Sequence, residues 1–167
     1  MRATIHAAVM LSIAAGIAGA QQPTAPHSKS HGAAAGRGAS AHGAPSDGLK
    51  WGPAPAVFPA GAQMAVLQGD PGSSAIFTVR LRMPNGYKIA PHTHPADEYV
   101  TVISGTLLIG MGDTAASKGM MRLRAGGFVN APANQSHYVT AQGRTVVQVT
   151  AMGPFALTYG NAADTPK

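Results

Sequence analysis

GYKIAPHTHPADEYVTVISG, residues 86–105, carries two histidines one residue apart, His92 and His94, then Glu98, with a glycine at each end. Residues i and i+2 of a β-strand project to the same side of the sheet, so His92 and His94 can aim two imidazoles at one point. Pro95 interrupts regular pairing, and the turn that follows can bring Glu98 back toward that point from the start of the next strand. A second stretch, GGFVNAPANQSHYVT, residues 126–140, adds His137. Three neutral imidazoles and one carboxylate are borderline ligands, suited to a divalent Zn, Fe, Mn, Ni or Cu rather than Ca or Mg.

Two strand histidines spaced by one are, taken alone, more often ordinary polar or hydrogen-bonded residues than ligands. The flanking residues change that balance. Gly86 and Gly105 bracket the first run where tight turns are expected, and Gly126 and Pro132 precede His137 in the same manner. Outward from these stretches the pattern is strand after strand. In AIFTVRLRM, Phe77, Val79, Leu81 and Met83 share one face while Thr78, Arg80 and Arg82 share the other. Tyr99–Ser104 and Leu107–Met111, separated by Ser104-Gly105-Thr106, read as a hairpin. Thr145–Thr150 is a further β-branched run ended by Gly153-Pro154, and Phe155–Tyr159 reads as the last strand. No stretch after Gly48 shows a helical stripe, so a sandwich or barrel of short antiparallel strands is expected.

The order glycine, five residues, His92, one residue, His94, three residues, Glu98, six residues, Gly105 resembles the first motif of the cupins at every position. Gly126, five residues, Pro132, Asn134, His137 is similar to the second motif, with two departures. Asn134 stands where the family prefers glycine, a place that asparagine can fill because it tolerates positive φ. Ala141 stands where the family prefers asparagine, which leaves the ligands untouched. The resemblance spans roughly residues 57–160. It implies an all-β, double-stranded β-helix (jelly-roll) barrel, with the two motifs facing each other across its interior. It also implies His92, His94, Glu98 and His137 as metal ligands. Cupins differ in whether this carboxylate binds the metal or serves as a base, so Glu98 is also the candidate catalytic residue. The barrel mouth would be partly apolar, with Tyr87, Tyr99, Phe128, Gln135 and Tyr138 as candidate lining groups.

The chemistry stays open at this level. Fe or Mn would suit a dioxygenase acting on a small oxygenated compound, whereas Zn would suit an isomerase, lyase or hydrolase. A non-catalytic module that binds or senses a small molecule or a metal is the other class, since cupins host many activities and some have none. The core also resembles the cupin domains of zinc-dependent anti-sigma regulators, although no separate helical sigma-binding region is visible. Cupins commonly pair through sheet edges, so a homodimer is one expected assembly.

Of the 167 residues, 45% are hydrophobic and 11% charged, which suits one core. Gly at 21 and Pro at 13 favour short strands and turns. The net charge of +6 is scattered. Arg80 with Arg82, and Arg122 with Arg124, fall on single strand faces and read as solvated surface, and no helix carries a basic stripe to suit nucleic acid. Residues 1–20 resemble an export signal: Arg2 supplies the positive start, Ala7–Ala18 the apolar run, and Ala18-Gly19-Ala20 a small-residue cleavage site. That run is short for a membrane span, so a periplasmic or secreted protein, free of the membrane after cleavage, is expected. With no cysteine, thiols say nothing of the compartment. Residues 21–48, rich in Ala, Gly, Ser, Pro and His, read as a disordered linker in which His27, His31 and His42 are incidental. The single domain is expected over residues 49–167, entered by a strap around Trp51.

Overall fold

The computed structural model describes residues 43–167. The expected export signal and residues 21–42 of the expected linker lie outside the described residues, while residues 43–48 form an exposed turn. Nine strands follow: β1 Gly52–Pro53, β2 Gln63–Gln68, β3 Ile76–Met83, β4 Lys88–Thr93, β5 Glu98–Met111, β6 Met121–Arg124, β7 Phe128–Ala131, β8 His137–Met152 and β9 Thr158–Tyr159. Among the described residues the only helix is a single 3₁₀ turn, Ala162–Asp164.

Strand β3 shows how sequence period becomes barrel wall. Phe77, Val79, Leu81 and Met83 are buried, and Thr78, Arg80 and Arg82 between them are not. Arg80 Nε donates to Gln148 Oε1 and Arg82 Nη1 to Gln63 Oε1 on the outer face, and the Arg82 guanidinium lies 3.8 Å over the Trp51 ring. The entry strap around Trp51 is thereby held to the sheet.

The barrel turns on the two long strands. β5 and β8 run antiparallel from Glu98↔Ala151 to Met111↔His137. The far half of β8 also pairs with β3, and its first half with β4. β7 pairs with the first half of β5, and β6 with its second half. The pairing therefore makes two sheets, β1-β2-β3-β8-β5-β7 and β9-β4-β8-β5-β6, that share β5 and β8, with the apolar core between them. This is the double-stranded β-helix expected.

The expected hairpin at Ser104-Gly105-Thr106 is corrected by this pairing. β5 is one strand of 14 residues, and its halves lie beside β8 rather than beside each other. Register shifts between Val102 and Thr106 mark a bulge, where Gly105 has φ +78 and sits against the backbone of Arg144 and Thr145. The bulge moves the inward phase from Val100 and Val102 to Leu107 and Ile109 and bends the strand from one sheet into the other. The Thr145–Thr150 run likewise lies inside the 16-residue β8. Of Phe155–Tyr159, only Thr158 and Tyr159 pair as strand.

Candidate metal centre

The turns that precede the candidate ligands follow the glycines. Gly86, at φ +76, closes the turn into β4 through Tyr87 N–H donating to the Pro84 carbonyl. β4 carries His92 at its penultimate position, and His94 lies one residue past its end. Glu98 opens β5 and His137 opens β8, where His137 pairs with His92 across the ladder. Asn134 takes φ 60, the left-handed conformation that its residue type permits, and its N–H donates to the His94 carbonyl at 2.8 Å.

The three imidazoles converge. Ring centroids lie 4.3 Å apart for His92 and His137, 4.9 Å for His92 and His94, and 5.2 Å for His94 and His137. One ligand atom from each can be chosen with all three within 4.8 Å of one another, and all three residues are buried. Their Nδ1 atoms face backbone carbonyls: His92 to Ala90 at 2.7 Å, His94 to Ala156 at 2.8 Å, and His137 to Gln135 at 3.1 Å. A carbonyl only accepts, so each Nδ1 carries the proton, and in the neutral ring Nε2 presents a lone pair. The Nε2 atoms of His94 and His137 are buried without a hydrogen-bond partner, an arrangement that costs about 1–3 kcal/mol per group in a dry site. A cation bound among the rings removes that cost, so the donor set fits a transition metal. Glu98 stands beside the three rings, with Oε2 3.3 Å from His137 Nε2 and 3.7 Å from His94 Nε2.

Electrostatics separate the four groups. Burial pushes His92 down to about 4, helped by the neighbouring His137, and burial also lowers His94. Burial alone would lower His137, but the Glu98 carboxylate beside it raises it instead. Burial alone would raise Glu98, and the surrounding imidazoles, His137 foremost, hold it below the usual carboxylate range. Two neutral rings and an ionised carboxylate therefore face the point of convergence near neutral pH.

Above the imidazoles lies a cavity of about 160 Å³. Phe77, Val79 and Leu81 of β3 and Val147 and Val149 of β8 form one wall, and Phe58, Phe155 and Leu157 contribute from segments outside the main strands. None of the five expected lining groups reaches it. Tyr99 follows the inward Glu98 and Tyr138 follows the inward His137, so pleat alternation turns both away. Tyr99 stacks on Phe128 on the exposed outer face, centroids 6.4 Å apart. Tyr138 packs over Gly110, where any Cβ would collide with its ring. Tyr87 is buried with its hydroxyl, pushed up by burial, donating to the Pro59 carbonyl. Gln135 is exposed and serves the site through its backbone carbonyl. Phe155, Leu157 and the Ala156 carbonyl had no local signal in the sequence.

Comparison with known proteins agrees with this fold. The family model described as Cupin domain matches residues 79–153. No curated protein matches the chain in sequence. Among solved structures, the chain is similar to a proposed acetylacetone dioxygenase from Methylibium petroleiphilum PM1, with TM-score 0.57 and 21% identity over 72% of this chain and 81% of that one. It is similar to the polyketide cyclase RemF from Streptomyces resistomycificus, with TM-score 0.55 and 14% identity over 66% and 79% of the two chains. An RmlC-like cupin from Shewanella frigidimarina NCIMB 400 superposes with TM-score 0.53 and 14% identity over 68% of this chain and 91% of its own. At these identities the likeness speaks for the fold. Both motifs meet inside a barrel of the fold that these structures share, and residues 79–153 match the cupin domain family.

Proposed function

We propose that this protein is an exported, metal-dependent cupin that binds one divalent transition metal through His92, His94 and His137, with Glu98 as fourth ligand or proton acceptor. Its proposed reaction is a dioxygenase-type oxidation of a small oxygenated compound. The observation that carries the reading is the convergence of three Nδ1-anchored imidazoles, two with orphaned Nε2 atoms, at the floor of an apolar cavity. When bound, a redox-active metal supplies the one-electron chemistry that brings dioxygen and an electron-rich organic substrate together. The chain's own residues do the rest. The apolar walls exclude water and hold the carbon body, and Glu98 Oε2, kept ionised, takes the proton from an acidic hydroxyl of the substrate. Export is supported by Arg2, the apolar run and the Ala18-Gly19-Ala20 site, and places the protein in the periplasm or outside the cell.

The test is elemental analysis of untagged protein taken from its native compartment, followed by oxygen uptake with a panel of small enolic and phenolic compounds. Stoichiometric iron or manganese with substrate-dependent uptake that His94→Ala abolishes is the expected result. Stoichiometric zinc with no uptake would overturn the oxidative reading, and absence of any metal would overturn the centre itself.

A further inference from the structure

Residues beyond Gly153 fall outside the stretch that matches the cupin domain, yet they complete the centre. After β8 the chain lies along the cavity as a strap in which Phe155, Leu157 and Tyr159 are half-buried and Pro154, Ala156 and Thr158 between them are exposed. It is fixed at one end by the N–H groups of Gly153 and Phe155, which donate to the Ala75 and Pro71 carbonyls at 3.0 and 2.8 Å. At the other end β9 pairs with β4, and Gly160 N–H donates to the Pro91 carbonyl at 2.9 Å. Between these anchors the Ala156 carbonyl accepts the His94 Nδ1–H. The Phe155 ring stacks on the His94 imidazole, with centroids 4.2 Å apart and planes at 20°, and meets the Phe77 ring edge-on at 5.2 Å. Both phenyls line the cavity. A phenyl seated against both rings sets how much room remains beside the imidazoles.

We propose that Phe155 is the specificity-determining residue of this centre, restricting it to ligands that join a metal-binding oxygen head to an apolar body no larger than a single ring. The inference rests on the metal reading above. The cavity of about 160 Å³ is close in size to the dry, apolar cavity of about 150 Å³ that accommodates benzene. Its walls offer apolar contact and no polar side chain apart from the four at the floor, so the oxygen atoms of a ligand must sit at the metal and its carbon body against Phe155 and Phe77.

The experiment loads the protein with Co(II) and titrates it with acetohydroxamate, benzohydroxamate and 2-naphthohydroxamate, which share one chelating head and carry methyl, phenyl and naphthyl bodies. The visible cobalt spectrum reports binding without any turnover. The wild type is expected to bind benzohydroxamate best and the naphthyl probe at least about tenfold more weakly, the discrimination available to a close-fitting apolar pocket. Phe155→Ala should erase or reverse that preference, Phe155→Leu should fall between, and Phe128→Ala on the outer face should match the wild type. Phe155→Leu keeps an apolar side chain beside His94 and carries the test if the alanine variant does not fold. Cobalt bound one to one with unchanged probe ranking in the Phe155 variants would overturn this inference alone. Failure of the wild type to bind cobalt would overturn the metal reading and this inference with it.

Discussion

Asn134 donates its backbone N–H to the carbonyl of His94 at 2.8 Å, so the loop leading to His137 is fastened directly to a residue of the early ligand run. Asp97 adds a second tie, its Oδ1 accepting the Ala133 N–H at 2.8 Å. His94 is itself tied, Glu98 opens β5 directly after Asp97, and His137 opens β8 three residues after Asn134, so the two ties hold the halves of the donor set in register. Asp97→Ala should therefore weaken metal binding by about tenfold, the lower end of what outer-shell changes cost, while leaving the far-ultraviolet spectrum unchanged. Competition with a chelator of known affinity measures it, and an unaltered affinity would show that the tie is ornamental.

Metal should stabilise the fold. The orphaned Nε2 atoms of His94 and His137 are a native-state cost that the unfolded chain, solvated by water, does not bear. With free metal at about 100 times its dissociation constant, linkage predicts about 2.7 kcal/mol, which for a domain of this size is a rise in Tm on the order of 10 °C. Scanning calorimetry with Zn(II) and with EDTA checks it, and the difference should vanish in a His92→Ala, His94→Ala double variant.

The metal-free protein should lose stability as pH falls from 6.5 toward 4. His92 titrates at about 4 when folded against 6.5 in the open chain, so in that window the unfolded state binds more protons and acid favours it, by about 3 kcal/mol at full effect. His94, also lowered, acts in the same direction. Glu98, held below its usual range, contributes stability that is present above the unfolded carboxylate value and lost as pH falls through the folded one. His137 acts in the opposite sense: its raised value adds stability below 6.5 that disappears as pH climbs through the folded value. Urea unfolding in EDTA from pH 4.5 to 7.5 should show the net acid loss, and His92→Asn should flatten it.

The meeting of His92, His94, Glu98 and His137 was legible because their spacing is a property of a few consecutive residues, and the same holds for the positive φ of Asn134 and the alternation of β3. The bend in β5 was not. A glycine between two β-branched runs looks alike whether the runs pair with each other or with a third strand, and here the partner is β8, some forty residues away. The apolar phase gave no warning, since a hairpin pairing Ser104 with Leu107 would set Val102 opposite Ile109 and show the same move from Val100 and Val102 to Leu107 and Ile109. The cavity lining was misread for want of the same parity: with Glu98 and His137 inward, Tyr99 and Tyr138 had to face away. Phe155 and the Ala156 carbonyl reach the centre only through the tertiary path of the strap, which no local pattern announces.

Gly105 and Gly143 offer the last test, because they share a conformation and differ in surroundings. Both hold positive φ, +78 and +75, so any side chain at either position carries the strain of the left-handed region, about 1–3 kcal/mol. A Cβ at Gly143 would meet nothing within 4 Å, whereas one at Gly105 would run into the Arg144 carbonyl and the Thr145 Cα. Backbone there has little freedom to retreat, since Thr145 is fully buried and its hydroxyl bonds to the backbone of Thr106. Gly143→Ala should thus cost about the strain term alone, and Gly105→Ala clearly more, on the order of 4 kcal/mol once the clash is included. Gly105→Ala should also reduce metal affinity, because the bend it disturbs is what carries β5 from Glu98 in one sheet to its pairing with His137 in the other. Equal denaturation midpoints for the two variants would mean that the bulge at Gly105 is not the hinge on which the barrel closes.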